Sequence, residues 1–113
     1  MSKITSHVLD ASRGKPAQAV PIALEQYADG KWVELSKAET NSDGRAPELW
    51  KDGMKLETGV YRLTFDTQKY FDSIGIMGFY PSVPIVFEIH DAAQHYHVPL
   101  LISPFSYSTY RGS

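Results

Sequence analysis

The sequence predicts an all-β protein, a Greek-key β-sandwich of seven to eight short strands with one short helix. Several segments alternate apolar and polar residues with a period of two, which is typical of strands that bury one face. Turn-forming residues recur roughly every 8–12 positions, a spacing typical of sandwiches. Hydrophobic residues make up 42% of the 113 positions, which is enough for a packed core. This length predicts a single domain over residues 1–113.

Three strands are predicted in the first third of the chain. The first covers residues 3–9, where polar and apolar side chains alternate. Residues 10–16 are predicted to form a loop, because they contain the strand-breaking residues glycine and proline. The second and third strands cover residues 19–27 and 31–38. They are joined by a short hairpin turn at residues 28–30, whose glycine accommodates a positive φ.

The middle of the chain contains a strong turn signal followed by an unassigned stretch. The cluster Asn41-Ser42-Asp43-Gly44 has the composition of a tight turn and places Arg45 immediately after it. Residues 48–57 have no clear periodicity and are left without a predicted element.

The second half of the chain adds four strands and the helix. The helix is expected to begin at an N-cap, Asp66 or Thr67, and to end before Gly75. A break at Ser103-Pro104 separates the last two strands. In chain order the predicted elements are a strand at 59–65, the helix at 68–74, and strands at 82–89, 96–102 and 105–110.

Composition and motifs exclude several classes of function. The chain has 11 basic and 13 acidic residues with no basic run, so we expect no nucleic-acid partner. No apolar run approaches the roughly 18 residues of a membrane span, so no membrane association is expected. The sequence also lacks a GxGxxG fingerprint, a P-loop, a GxSxG motif and an HExxH motif. These absences argue against nucleotide binding, serine hydrolysis and zincin chemistry.

The absence of cysteine bears on the compartment. Without cysteine the chain forms no disulfide framework and no cysteine-based zinc site. This composition fits a reducing compartment, so the cytoplasm is the expected location. A peroxisomal location, or a periplasmic one after removal of a signal peptide, remains an alternative, although the N-terminus has no apolar signal-peptide core.

Strand periodicity places several chemically competent side chains on defined faces. His7 shares a face of the first strand with Leu9, and His97 shares a face of its strand with Leu101. In the last strand, Ser108 and Tyr110 lie on one face. Taken singly, each of these residues has an ordinary structural explanation, and so does Arg45 as a solvated loop charge. Only their convergence in the fold would make them a site.

A metal site is the alternative interpretation of two histidines. His95 and His97 lie on the same face of one strand, a spacing that suits an ion such as zinc. A catalytic zinc needs a third protein ligand, for which His7, His90 or a carboxylate would be required. We expect no metal and no other cofactor.

The sequence resembles the transthyretin-related family, and within it the 5-hydroxyisourate hydrolases. The resemblance covers essentially the whole chain. Its C-terminal tetrapeptide, Tyr110-Arg111-Gly112-Ser113, is the signature that distinguishes these hydrolases from transthyretin. The other matching segments are Ile4-Thr5-Ser6-His7-Val8-Leu9-Asp10, Asp43-Gly44-Arg45, Phe79-Tyr80-Pro81-Ser82-Val83 and His95-Tyr96-His97-Val98-Pro99-Leu100-Leu101.

The resemblance implies a transthyretin-like sandwich assembled as a homotetramer, a dimer of dimers. A channel would run between the dimers, lined by the first strand and the last two. The family's catalytic set falls on His7, Arg45 and His97. The substrate-binding set falls on His7, Arg45, Ser108, Tyr110, Arg111, Gly112 and Ser113.

The implied reaction is hydrolytic opening of the six-membered ring of 5-hydroxyisourate, a step of urate breakdown that needs no metal. One of His7 and His97 would deprotonate the attacking water, since the unperturbed pKa of histidine is about 6.5. The other would orient the water or protonate the leaving nitrogen. Arg45 would hold the polar edge of the substrate and, with hydroxyl groups, stabilise the oxyanion. Tyr110 would narrow the channel, and Ser113 with its terminal carboxylate would complete the wall.

Two other functions are compatible with the same fold. The first is a carrier of a small apolar or aromatic ligand, as transthyretin is, for which a mainly apolar channel is expected. The second is an interaction module without a small-molecule site, in which the His, Arg and Tyr side chains would be scattered and solvated.

Overall fold

The computed structural model describes residues 2–113. Within that range it contains eight strands, one α-helix and one short 3-10 helix. The strands are β1 (Ile4–Asp10), β2 (Lys15–Pro16), β3 (Pro21–Ala28), β4 (Lys31–Glu39), β5 (Gly59–Phe65), β6 (Val83–Ile89), β7 (Tyr96–Ser103) and β8 (Ser106–Thr109). The α-helix α1 is Thr67–Ser73, and the 3-10 helix is Pro47–Leu49.

The strands form two four-stranded sheets, which confirms the predicted β-sandwich. The first sheet has the order β2-β1-β7-β8 and the second has the order β4-β3-β5-β6. Alternate side chains of β1, β3, β5, β6 and β7 point into one core, and most of them are almost fully buried, as the period-two pattern predicts. The largest of them are Tyr61, Phe65, Ile4, Ile22, Leu24, Leu63, Ile89, Leu100 and Ile102, and Leu49 of the 3-10 helix joins the same core.

β1 and β7 form the only parallel pair among the described residues, and this pair determines the outer face of the first sheet. Its register runs from Ile4 opposite Tyr96 to Asp10 opposite Ile102, with Thr5 opposite His97. The inward side chains of both strands are buried, and the outward ones, apart from Pro99, are only partly buried. Thr5 and His7 therefore share the outer face with His97.

Most element boundaries lie within two residues of the predicted ones. Helix α1 is Thr67–Ser73, one residue earlier than expected at each end, and Asp66 rather than Thr67 is its N-cap. The side chain of Asp66 accepts a hydrogen bond from the Lys69 N–H, as an N-cap should.

Two segments depart from the sequence prediction. Within the predicted loop 10–16, β2 pairs with the end of β1, so that part of the prediction is wrong. The unassigned stretch 48–57 begins within the 3-10 helix and is held by burial of Leu49, Trp50 and Leu56. Neither the two-residue strand β2 nor the three-residue 3-10 helix is long enough to show a period. No helix in residues 2–113 combines the length and apolar character needed to cross a bilayer.

A buried carboxylate fastens the end of β1 to helix α1. The Asp10 side chain accepts hydrogen bonds from the Tyr70 hydroxyl at 2.7 Å and from the Ser12 hydroxyl at 2.6 Å. Backbone N–H groups of Ser12 and Arg13 also donate to it. Burial raises the pKa of Asp10, but these donors outweigh burial and hold the pKa below its usual value. The network therefore stabilises the ionised carboxylate.

We predict that Tyr70→Phe lowers the free energy of unfolding by about 1–3 kcal/mol at pH 7, because a buried carboxylate loses a donor. A carboxylate with a lowered folded-state pKa stabilises the fold above the unfolded pKa of about 3.9 and loses this effect as pH falls through the folded value. The difference from wild type should therefore shrink below about pH 4. Urea denaturation at several pH values measures it. The matched control is Tyr27→Phe, at an exposed ring that packs on Trp32. Equal losses in both variants at pH 7 would contradict the prediction.

Candidate active site

A tight turn fixes Arg45 beside β1. The Asn41 side-chain oxygen accepts hydrogen bonds from the backbone N–H groups of Asp43 and Arg45. Gly44 has a φ of +79°, and a Cβ there would collide with the carbonyl oxygen of Val8, so both conformation and space require glycine. The Gly44 carbonyl accepts from the Val8 N–H at 2.8 Å, and Arg45 forms a β-bridge with His7. The residues at the end of the predicted turn are therefore hydrogen-bonded to β1 of the first sheet.

The same turn determines the tautomer of His7. Its Nε2 lies 2.7 Å from the carbonyl oxygen of Asp43. A carbonyl oxygen only accepts hydrogen bonds, so Nε2 carries the proton. In neutral His7 the remaining nitrogen, Nδ1, is then the basic one.

His97 lies in a concavity that we name the His97 pocket. The pocket has a volume of about 540 Å³ and lies beside β1, the turn at Gly44 and the C-terminal residues. Its lining includes three residues predicted from the sequence, Arg45, His97 and Ser113. Thr5, Asn41 and His95 also line it. His7 does not line the pocket, although it lies on the same sheet face.

The C-terminal segment packs directly on the His97 ring. The Gly112 N–H donates to the His97 carbonyl at 2.8 Å. A Cβ at Gly112 would lie 2.6 Å from His97 Cδ2, closer than real Cβ contacts allow, so only glycine permits this approach. The bond to Gly112 holds the next residue, Ser113, at the pocket.

The Thr5 hydroxyl is within hydrogen-bond distance of one ring nitrogen of each histidine in the His97 pocket. Thr5 Oγ1 lies 2.8 Å from His97 Nδ1 and 2.9 Å from His95 Nε2. Within residues 2–113 no hydrogen bond is made to His97 Nε2, and no unbonded side-chain nitrogen or oxygen is buried. His97 Nε2 is therefore open to solvent. Among the described residues no three His, Cys, Asp or Glu side chains converge as metal ligands.

Burial and neighbouring positive charge keep His97 neutral. Partial burial lowers the pKa of His97 below its usual value, because it penalises the charged imidazolium. The Arg45 guanidinium lowers this pKa further, and His95 and His7 add smaller effects in the same direction. In the neutral tautomer that carries its proton on Nδ1, His97 Nε2 can therefore accept a proton near pH 7.

Three predicted site residues lie away from the His97 pocket in the single chain. The Arg111 guanidinium lies 4.4 Å from the centroid of the Tyr96 ring and donates to Gln94 Oε1 at 2.7 Å. Tyr110 is 60% exposed and, with Arg111, lines a second concavity of about 480 Å³ beside β6. Ser108, on β8, is exposed and pairs with Leu101 of β7.

The sequence interpretation missed Thr5 and treated His95 only as a possible metal ligand. His95 is exposed, yet its ring is hydrogen-bonded to Thr5. Strand parity places Thr5 on the face of His7, and that signal was available. The pairing of Thr5 with His97 depends on the parallel register, which the sequence does not reveal.

We predict that Arg45→Met raises the pKa of His97, because removing the guanidinium removes a charge that disfavours the imidazolium. An NMR titration of the labelled His97 ring measures the pKa. The control is Arg62→Met, since Arg62 stacks on Trp32 in the other sheet. An unchanged His97 pKa in Arg45→Met would contradict the prediction.

Comparison with known proteins places the chain in a family. The model of the HIUase/Transthyretin family matches residues 4–112. The 5-hydroxyisourate hydrolase of Mus musculus is 45% identical over 114 residues, covering 99% of this chain and 96% of the mouse protein.

Solved structures from both branches of the family have the same fold. The 5-hydroxyisourate hydrolase of Klebsiella pneumoniae aligns with a TM-score of 0.83 at 35% identity, over 100% of this chain and 94% of that one. Transthyretin from Sparus aurata aligns with a TM-score of 0.91 at 33% identity, over 99% and 97% respectively. The fold alone does not separate the hydrolases from the transthyretins. The family match and the identity to the mouse protein show that the chain belongs to the HIUase/Transthyretin family.

Proposed function

We propose that this chain hydrolyses 5-hydroxyisourate to 2-oxo-4-hydroxy-4-carboxy-5-ureidoimidazoline, a step of urate breakdown. The observation that carries the proposal is the pairing of a neutral histidine, His97, with the cationic Arg45 in one pocket. Relatives that are 41–45% identical over nearly the whole chain and are named as 5-hydroxyisourate hydrolases, some of them as probable ones, support the choice of substrate.

In the proposed reaction His97 is the general base. Its Nε2 accepts a proton from water while the water oxygen bonds to a ring amide carbonyl carbon. The carbonyl oxygen becomes an oxyanion opposite the Arg45 guanidinium, which stabilises it by charge and hydrogen bonding. The ring C–N bond then breaks, the carbonyl carbon becomes a carboxyl group, and the leaving nitrogen takes up a proton. No step requires a metal.

The remaining residues are assigned to binding and positioning. His7 orients water or substrate through Nδ1, because its Nε2 proton is engaged by the Asp43 carbonyl. Ser113 contributes to the pocket wall, and Gly112 permits the close approach of the C-terminal segment to His97. Arg111 takes a positioning role, since it holds the segment against Tyr96 and Gln94.

The assembly proposed for the active protein is a homotetramer in the cytoplasm. Ser108 pairs with the outward-facing Leu101, so a second copy packed on the outer sheet face would bring its own Ser108, followed by Tyr110, towards the pocket. The edge strands β6 and β8, both unpaired on one side, support edge-to-edge pairing of copies. The absence of cysteine supports a reducing compartment.

We predict that the protein accelerates the decay of freshly generated 5-hydroxyisourate, followed by ultraviolet absorbance, with or without a chelator. His97→Asn should lower kcat/KM about 10²–10⁴-fold, because the general base is lost. Arg45→Met should lower it by roughly 10²-fold or more, because the oxyanion loses a charged donor.

The control for the histidine variant is His90→Asn, because His90 is exposed, lies outside the His97 pocket and is near Glu88. It should keep wild-type turnover. A folded wild-type protein that leaves the spontaneous decay rate unchanged would overturn the hydrolase proposal and favour the ligand-carrier alternative.

We predict a molar mass in solution of four times the 12.7 kDa chain. Light scattering coupled to size-exclusion chromatography measures it at the concentrations used for the assay. A monomer with full activity would contradict the proposed role of Tyr110 and Ser108 from a second copy.

A further inference from the structure

We propose that the Thr5 hydroxyl is a positioning group that links His95 to His97 as a proton relay, so that His97 presents an unprotonated Nε2 to water. The proposal rests on the hydrolysis proposed above and adds two residues, Thr5 and His95, to its machinery. It is carried by the two hydrogen bonds of one hydroxyl, at 2.8 Å and 2.9 Å.

The backbone holds this arrangement in place. Thr5 lies directly opposite His97 in the parallel register of β1 and β7, so their side chains are neighbours on the outer sheet face. His95 stands two residues before His97, and its ring is nearly parallel to the His97 ring, with 17° between the planes. One side chain from the start of the chain therefore bridges two rings near its end.

Counting protons shows that the three groups are not independent. A hydroxyl donates one hydrogen bond and has two acceptor lone pairs, so Thr5 donates to at most one of the two ring nitrogens and accepts from the other. If Thr5 donates to His95 Nε2, then His97 Nδ1 carries a proton and His97 Nε2 is basic. If Thr5 donates to His97 Nδ1, then His97 Nε2 carries the proton and no longer acts as a base. The orientation of one O–H thus selects the tautomers of both rings.

The first arrangement is the one that suits hydrolysis. The free His97 Nε2 is open to solvent in the pocket that contains Arg45. When it takes a proton from water, the Nδ1 proton can pass to Thr5 Oγ1 while the Thr5 proton passes to His95 Nε2. His97 is then neutral with its proton on Nε2, and His95 is an imidazolium, so one proton has moved and none is lost. When the Nε2 proton passes to the leaving nitrogen, the reverse transfers from His95 through Thr5 restore the proton on His97 Nδ1.

Charge favours transfer in this direction. A positive charge on His97 is disfavoured by its burial and by Arg45, whereas His95 is exposed and its charge is solvated by water. The relay therefore moves the positive charge from a partly buried site to an exposed one. His95 holds this proton until the leaving nitrogen is protonated and the relay runs in reverse.

The test reads the His97 tautomer directly by ¹H–¹⁵N NMR in substrate-free protein, at a pH where the ring is neutral. Wild type should carry the proton on Nδ1. In His95→Phe the Thr5 hydroxyl loses its acceptor on His95 and can donate to His97 Nδ1 instead, so the proton should move to Nε2. In Thr5→Val, which has a similar shape without the hydroxyl, the two tautomers should mix. Thr5→Ser should restore the wild-type signal.

Kinetics provide the second readout. Thr5→Val should lower kcat roughly tenfold with KM nearly unchanged, because one hydrogen bond orients the base rather than the substrate. Thr5→Ser should recover most of the rate. The matched control is Thr64→Val, a partly buried threonine on β5 in the other sheet, which should change neither kcat nor the His97 tautomer.

The outcomes separate this proposal from the hydrolase proposal. A wild-type His97 protonated on Nε2, or a tautomer that does not change in His95→Phe, overturns the relay even if the protein is a fully active hydrolase. Unchanged kcat in Thr5→Val also overturns it. Absence of hydrolysis in wild type overturns the hydrolase proposal and, with it, the catalytic role of the relay. If the tautomers still changed as expected, only the hydrogen-bonded coupling of Thr5, His95 and His97 would stand.

Discussion

The parallel pairing of β1 with β7 is the constraint on which the rest of the site depends. It joins the start of the chain to its end over residues 4–10 and 96–102. The inward side chains fill the core, and the buried Ser6 hydroxyl adds a 2.8 Å hydrogen bond to the Val98 carbonyl. Because side chains alternate with a period of two, burial of the core face forces Thr5, His7 and His97 outward. Burial of the core face thus orients the side chains of the proposed active site without touching them.

One guanidinium serves two chemical requirements in the His97 pocket. Hydrolysis needs a base that is unprotonated before the reaction and a positive charge where the oxyanion forms. Arg45 lowers the pKa of His97 and lines the same pocket, where the proposed oxyanion would form. Its position follows from a turn in which Asn41 and Gly44 have conformational roles. Asn41 and Gly44, which take no part in the proposed reaction, therefore fix the position of the charge that lowers the pKa of His97.

Much of this arrangement could be predicted from the sequence, and the limits have physical causes. The period-two alternation predicted which strand face carries His7 and His97, and the turn-forming residues 41–44 predicted the bend before Arg45. The two-residue strand β2 was missed because so short a segment has no period. The Thr5–His97 contact was missed because a single sequence does not reveal the register of strands 92 positions apart. Likewise, nothing in the C-terminal tetrapeptide indicated that Arg111 turns towards Tyr96.

The long separation of β1 and β7 also has a consequence for folding kinetics. The β3–β4 hairpin forms from residues close in sequence, but the β1–β7 pair must close a loop of about ninety residues. Loop closure of this kind costs chain entropy before contacts compensate for it, and non-local parallel pairing is slow. A chain that has formed only its hairpins has no Thr5–His97 contact and therefore no assembled site. During refolding, catalysis would therefore recover only after the two ends of the chain have met.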